Sequence, residues 1–357
     1  MKKLTSIILA ISFSSFCFGC NNRSNYISAR YFNTDVYVQV NDGVILDDTR
    51  SKITEFLSAF EKEFSVTDEN SAIARFNAQP SGSVTLSDDG VNVVEKAMTC
   101  YQAFDQKFNP ALYPLSMLWK FSPSFPVSNF APPSQEELDE LSLESLNFDN
   151  VVLDKAQKTL SKLSPQLKID LGGIAKGYAS QKIGEMLKAK GYRTGYVSIG
   201  YSSLFVISAE SMGVRHPDDK TKLALNVITG GLSDFCVSTS GWYERFYEYN
   251  GKNYGHVMDG NTLAPADTGV VSATVITDDG CVADALSTAL CLYSHNPLNS
   301  EQSQLISFIK SLLSKKEFEN AQFFVLFNDG EYKQLITNKN QGENFTLTDA
   351  NYQVVNV

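Results

Sequence analysis

Histidine is scarce in this chain: His216, His256 and His295 are the only three in 357 residues. That argues against a histidine-rich zinc site. Cysteine is hardly more abundant. Of six, Cys17 and Cys20 fall in an N-terminal leader, and Cys100, Cys236, Cys281 and Cys291 are scattered without metal-ligand spacing. These four are expected to be buried thiols, although export would permit disulfides. Clustered cations are missing too. The formal net charge is −10, and no Lys/Arg stripe with interleaved aromatics occurs. Binding to nucleic acid by counterion displacement is therefore excluded. Neither G-x-x-x-x-G-K-[ST] nor G-x-G-x-x-G is present, which removes the two commonest phosphate-loop signatures. There is no internal repeat and no low-complexity block.

What is present describes a globular, exported protein. Hydrophobic residues make up 43% and charged residues 20%, enough apolar side chain for a sizeable core. Lys2 and Lys3 precede the apolar run Leu4 to Phe18, and Gly19-Cys20 follow. This is the layout of a secretory signal, with an apolar run too short to span a bilayer comfortably. An ordinary signal peptide accounts for it. The small residue before Cys20 also resembles a bacterial lipobox, so residues 1–19 are expected to be removed and Cys20 lipidated. Residues 20–30 then read as a polar tether, and 31–357 as one domain. The expected location is the bacterial cell envelope, on an extracytoplasmic face of a membrane.

Apolar spacing predicts helices over Asp48 to Phe64 and Asp89 to Phe104, the second capped by Ser87. A short helix is expected over Gln135 to Leu143, after a Pro- and Ser-rich loop at 121–137. A longer one covers Ile174 to Lys190, closed by Gly191, and another Ala283 to Ser294. Strands are expected at "TDVYVQV", twice within "NVVLDKAQKTLSKL", and at "QLKIDL", "YVSIG", "SLFVIS", "LALNVI", "FCVST", "ERFYEY", "VVSATVIT" and "QFFVLF". "NGKNY" reads as a hairpin turn. The irregular alternation of helices with many strands predicts an α+β layered fold of mixed and antiparallel sheets with packed helices.

Three stretches carry chemistry. "DLGGIAKGYAS" (Asp170 to Ser180) is a glycine-rich entry into a helix, which lets phosphate approach free N–H groups. It also places Lys176 in the first turn, at the partly positive end of a helix, where a cation needs a nearby negative charge. A tight packing turn would explain the glycines equally well. In "VADALSTAL", Asp284 and Thr288 are four apart and share a helix face. Carboxylate and hydroxyl are hard oxygen ligands suited to magnesium. By itself the pair is also unremarkable helix sequence, and Asp284 reads as a surface-facing carboxylate. The third stretch places His256 among turn residues in "GKNYGHVMDG".

In this order the three stretches resemble the ApbE-type FAD:protein FMN transferases. "STSGWYERF…GKNYGHVMD" resembles the family's T-S-G-x-Y-x-R … G-x-x-Y-x-H-I-x-D-P, and "VSATVIT…CVADALSTAL" its S-V-T-V … A-D-A-L-A-T-A-L. Weaker matches are "FNT", "SAIARFN" and "QAFDQKFNPALYPLSMLW". The resemblance implies an ApbE-like, T-fold-related architecture. It implies Mg²⁺-dependent transfer of FMN from FAD to a threonine or serine of an exported acceptor protein, releasing AMP. Asp170, Lys176, Ala103, Phe104, Asp105 and Met258 would contact FAD. Gly173, Asp284 and Thr288 would hold Mg²⁺, and His256 would activate the acceptor hydroxyl. The chain departs from the pattern at Tyr201, where a glycine is usual, at Trp242 and Gln102, and after Asp259, where a proline is lost. Two other readings fit the same residues: hydrolysis of FAD to FMN and AMP, and FAD binding without turnover.

Overall fold

The computed structural model describes residues 24–121 and 130–357. The leader, Cys20 and residues 122–129 of the Pro/Ser-rich loop lie outside the described residues. The spine is a nine-stranded sheet. Its order is Tyr26–Tyr31, Thr34–Val40, Gly195–Ile199, Ser203–Ser208, Ser233–Gly241, Val270–Thr277, Gln322–Asn328, Lys333–Thr337 and Gln353–Asn356. Neighbours are antiparallel except the last pair, which is parallel. The α-helices of the described residues are α1 (Asp47–Phe64), α2 (Ala72–Ala78), α3 (Asp88–Ala103), α4 (Tyr113–Leu118), α5 (Gln135–Asp139), α6 (Gly172–Ala189), α7 (Gly280–Leu290) and α8 (Gln304–Leu313).

The two faces of the sheet are covered differently, as strand alternation dictates. Val36, Val38, Val197, Ile199, Phe205, Ala273 and Val275 point to one face, where they meet Ile53, Leu57, Ile174, Ile183, Leu187 and Leu286 of the helices. Each such aliphatic side chain, fully buried, contributes about 1.5–3 kcal/mol. On the other face Leu204, Val206, Val237, Ile276 and Phe324 pack against a three-stranded sheet formed by Ser211–Arg215, Leu223–Ile228 and Phe345–Leu347. The result is three layers, helices on sheet on sheet, in agreement with the expected α+β class. A smaller cluster, Leu112, Leu115, Trp119, Phe121, Leu146 and Met258, fills the space beside α4.

Local signals place most elements where expected. Ser87 caps α3 by accepting from the Gly90 N–H at 3.0 Å. Gly191, at φ +92°, closes α6, with Tyr192 N–H on the Leu187 carbonyl and Gly191 N–H on that of Lys188. Asn250 and Gly251, both at positive φ, turn the hairpin between Phe246–Tyr249 and Lys252–Gly255. Cys100, Cys236, Cys281 and Cys291 are buried free thiols.

Four expectations are corrected. The stretch read as a tether is partly sheet: Tyr26–Tyr31 pairs residue for residue with 34–39, across a two-residue turn with Phe32 and Asn33 both at φ +56°. "QLKIDL" is no strand. Ile169 satisfies both its backbone groups on one side chain, donating to Asn77 Oδ1 and accepting from Asn77 Nδ2, each at 2.8 Å. The helix expected over Gln135 to Leu143 ends at Asp139. The helix expected from Ala283 begins at Gly280 and ends at Leu290, because the Asp279 side chain caps it by accepting from Val282 N–H at 3.1 Å.

Helices α6 and α7 approach so closely that no side chain fits between them. A Cβ on Gly177 would lie 1.9 Å from the Gly280 carbonyl oxygen, and one on Gly280 would lie 2.2 Å from that of Gly177. Gly177→Ala must push the helices apart and is expected to lower the unfolding free energy by about 1–3 kcal/mol, measured by urea denaturation. An unchanged midpoint would show that the contact is not tight.

Candidate active site at the start of helix α6

The site begins with a braced turn. Asn77, buried on α2, holds the Ile169 backbone, and Asp170 N–H donates to the Pro110 carbonyl at 3.0 Å. The Asp170 carboxylate accepts from Gly172 N–H at 2.7 Å, placing negative charge at the positive end of α6. The two glycines belong to the first turn of that helix rather than to a loop before it. They are needed for space: a Cβ on Gly172 would lie 3.0 Å from Asp170 Oδ1, and one on Gly173 3.3 Å from the Phe108 ring and 3.9 Å from Thr288 Oγ1.

Across the α6–α7 contact lies Asp284. It is 3% exposed, so the expectation of a surface-facing carboxylate is wrong. A buried carboxylate must be surrounded by donors, and this one is. Oδ2 accepts from Gly177 N–H at 3.0 Å, and Oδ1 from Ser203 and Ser238 hydroxyls at 3.1 and 3.0 Å. Lys176 Nζ stands 3.6 Å from Oδ2 and also donates to the Gly172 carbonyl. The counter-charge that Lys176 requires is therefore Asp284. One helical turn on, Thr288 Oγ1 lies 3.1 Å from Ser240 Oγ, which also meets Ser287 Oγ at 2.8 Å. Gly173, Lys176, Asp284 and Thr288 are thus brought together.

The residues present fit a hard divalent cation. Carboxylate, threonine hydroxyl and backbone carbonyl form an all-oxygen set of low charge. Among the described residues no cluster of three or more His, Cys, Asp or Glu is placed to hold a metal. Magnesium suits such a set, because it takes one or two carboxylates and completes its shell with water and substrate phosphate.

His256 is partly buried between strands. Its Nδ1 lies 3.2 Å from the Arg245 carbonyl, so Nδ1–H donates there and Nε2 is left as the proton acceptor. Burial, then the positive charges of Arg245 and Lys176, push its pKa down from 6.5 to about 4. The imidazole is neutral at physiological pH, the form a base requires.

The positions implied for flavin contact are split. Ala103 ends α3, and Asp105, at φ +51°, is exposed and accepts from Tyr293 OH at 2.8 Å. Phe104 is 1% exposed with its ring against Phe308 and Phe318, and its carbonyl accepts from Lys107 N–H at 2.9 Å and Tyr293 OH at 3.2 Å, so its side chain is closed to a ligand. Met258 is 5% exposed and packs in the cluster around Trp119. Tyr201 lies on the sheet face opposite Asp284: its hydroxyl donates toward Asp35 and Tyr37 at 3.2 and 3.3 Å. Trp242 is accommodated by Gly255, where a Cβ would come 2.6 Å from the Trp242 Cβ. Gln102 donates to Asp149 at 2.6 Å.

Sequence reasoning missed Asn77, Ser203, Ser238 and Ser240. The serines carry a readable signal: Ser238 and Ser240 follow Cys236 at alternate positions, on the strand face opposite the apolar Phe235 and Val237. Asn77 stands in the quoted "SAIARFN", but nothing local foretells that it grips a loop 92 residues away.

With three histidines in the chain, imidazole NMR can follow His256 directly, its signal assigned by loss in His256→Asn. It is expected to stay neutral down to about pH 4; an inflection near 6.5 would contradict the assigned environment. The folded state binds fewer protons than the unfolded state between these values, so stability from His256 is full above about pH 6.5 and lost as pH falls toward 4.

The ApbE family profile matches residues 32–301. An FAD:protein FMN transferase of Haemophilus influenzae is 27% identical over 308 residues, covering 81% of this chain and 87% of the relative. One of Escherichia coli is 29% identical over 248 residues, covering 68% and 70%. Among solved structures, an ApbE protein of Thermotoga maritima superposes with a TM-score of 0.70 at 27% identity, covering 85% of this chain and 94% of that one. The flavin transferase ApbE of Vibrio cholerae, at 20% identity and TM-score 0.69, covering 90% and 95%, shows the same fold. A profile match over most of the chain, on a shared architecture, places this protein in the ApbE family.

Proposed function

We propose that this protein transfers FMN from FAD to a threonine or serine hydroxyl of an exported acceptor protein, releasing AMP, in a reaction that requires Mg²⁺. The observation that carries the reading is Asp284, buried and held by Gly177, Ser203 and Ser238 beside the glycine-lined start of α6. A carboxylate held by these donors, next to Thr288 and Lys176, is suited to a diphosphate that carries a divalent cation. Asp284, Thr288 and the Gly173 carbonyl would hold the cation, which would neutralise charge on the diphosphate. The names of the similar transferases support transfer of FMN from FAD to a protein.

In this reading the chain's own groups act as follows. Lys176 and the N–H groups at the α6 start bind the diphosphate. Ala103, Asp105 and the Phe104 backbone border the flavin. His256 Nε2 takes the proton of the acceptor hydroxyl as its oxygen bonds to the phosphorus of FMN. The bond from that phosphorus to the bridging oxygen breaks, and AMP leaves with the oxygen. The Tyr201 hydroxyl meets Asp35 and Tyr37 rather than the groups around Asp284, so its replacement of a glycine leaves the donors of that carboxylate in place. The leader and Cys20 suit action at the envelope, on a lipid anchor.

Incubation with FAD, Mg²⁺ and an acceptor is expected to add the mass of an FMN group to a threonine or serine. FMN released without acceptor would mark hydrolysis instead, and intact FAD would mark binding alone. Asp284→Asn, which preserves shape, is expected to lower transfer at least about a hundredfold. Because Asp284 is buried, melting temperature must be read alongside. Loss of activity only in proportion to loss of fold would assign Asp284 a structural role.

A further inference from the structure

The Asp284 carboxylate has four donors around it, and they are not alike. Gly177 N–H is fixed by the backbone of α6, and the Ser203 and Ser238 hydroxyls by adjacent sheet strands. Lys176 is the only one of the four that carries charge, and it sits on a long, flexible stem. Its side chain is 25% exposed whereas that of Asp284 is 4% exposed, so it lies on the open side of the carboxylate. A divalent cation seated on Asp284 would lie a few ångströms from Nζ. In a site of low dielectric two positive charges at that range repel strongly. Cation and lysine therefore exclude each other.

We propose that Lys176 is the resident counter-ion of the metal site: it neutralises Asp284 in the free protein and is displaced by the divalent cation, which frees its ammonium for the nucleotide diphosphate. The proposal rests on the metal assignment above and adds an order to it. While Lys176 is seated, apparent metal affinity is reduced by the fraction of molecules in which the site is open. A diphosphate gives the displaced lysine a new partner, so metal and nucleotide assist each other, by the same factor in each direction. The bond from Lys176 to the Gly172 carbonyl keeps the ammonium at the helix start, where a diphosphate would arrive. One lysine thus links two ligands without a change of fold.

The test is Mn²⁺ binding to the full chain, followed by the electron paramagnetic resonance signal of the free ion, first alone and then with ADP. Without nucleotide, Lys176→Met is expected to bind Mn²⁺ about tenfold more tightly than the wild type, and Lys176→Arg to stay near the wild type. ADP should tighten Mn²⁺ binding more in the wild type than in Lys176→Met. Metal-free Lys176→Met should also melt lower, because Asp284 loses its counter-charge, and saturating Mn²⁺ should close that gap. Unchanged or weaker Mn²⁺ binding in Lys176→Met overturns the proposal. Wild-type Mn²⁺ affinity in Asp284→Asn would be a different failure, overturning the metal assignment itself and the proposal with it.

Discussion

Two helix backbones touch in this protein, and the site exists because they do. Gly177 and Gly280 let α6 and α7 meet with no side chain between them. That contact carries the Gly177 N–H to within 3.0 Å of the Asp284 carboxylate. Any larger residue at either position would separate the helices and remove a donor from a charge that has lost its water. Burying a carboxylate is costly unless hydrogen bonds replace its hydration. Here packing and electrostatics are one constraint: the closeness that excludes water also supplies the replacement donors.

The same constraint explains the polar residues in an otherwise apolar sheet face. Across the register, Val36 lies opposite Ile199, Ile199 opposite Ser203, Ser203 opposite Ser238, and Ser238 opposite Val275. Two serines interrupt a row of aliphatic side chains at the place where Asp284 descends from α7. Ser240 continues the polar track to Ser287 and Thr288. The remaining edges of the site are held from a distance. Asn77 clamps the backbone just before Asp170, and Arg245 donates to the Phe121 carbonyl at 2.6 Å while its own carbonyl orients His256.

Much of this was legible in the sequence, and the rest failed for identifiable reasons. Continuous apolar runs and helical spacing located the central strands and α1, α3 and α6, because these strands are buried on both faces and these helices along one. Caps were readable where the capping residue is local, as at Ser87 and Gly191. "QLKIDL" alternates like a strand but is held by an amide distant in the chain, which no local pattern encodes. Tyr26–Tyr31 was hidden by its polar composition, since an edge strand needs few buried residues; Ile27 is its buried one. Chemical type and spacing singled out Asp284, Thr288 and Lys176 as candidates, and the structure brings these three together. Spacing could not show that Asp284 is buried, because burial depends on the neighbouring helix and strands. Nor could it show that Lys176 and Asp284 are partners, since they lie on different helices.

The most direct measurement is a crystal structure grown with FAD and Mn²⁺, using the anomalous signal of manganese to place the ion. The assignment predicts one manganese peak among Asp284, Thr288 and the Gly173 carbonyl, with the diphosphate of FAD against the first turn of α6. A manganese peak elsewhere, or a dinucleotide bound with that turn left bare, would contradict it.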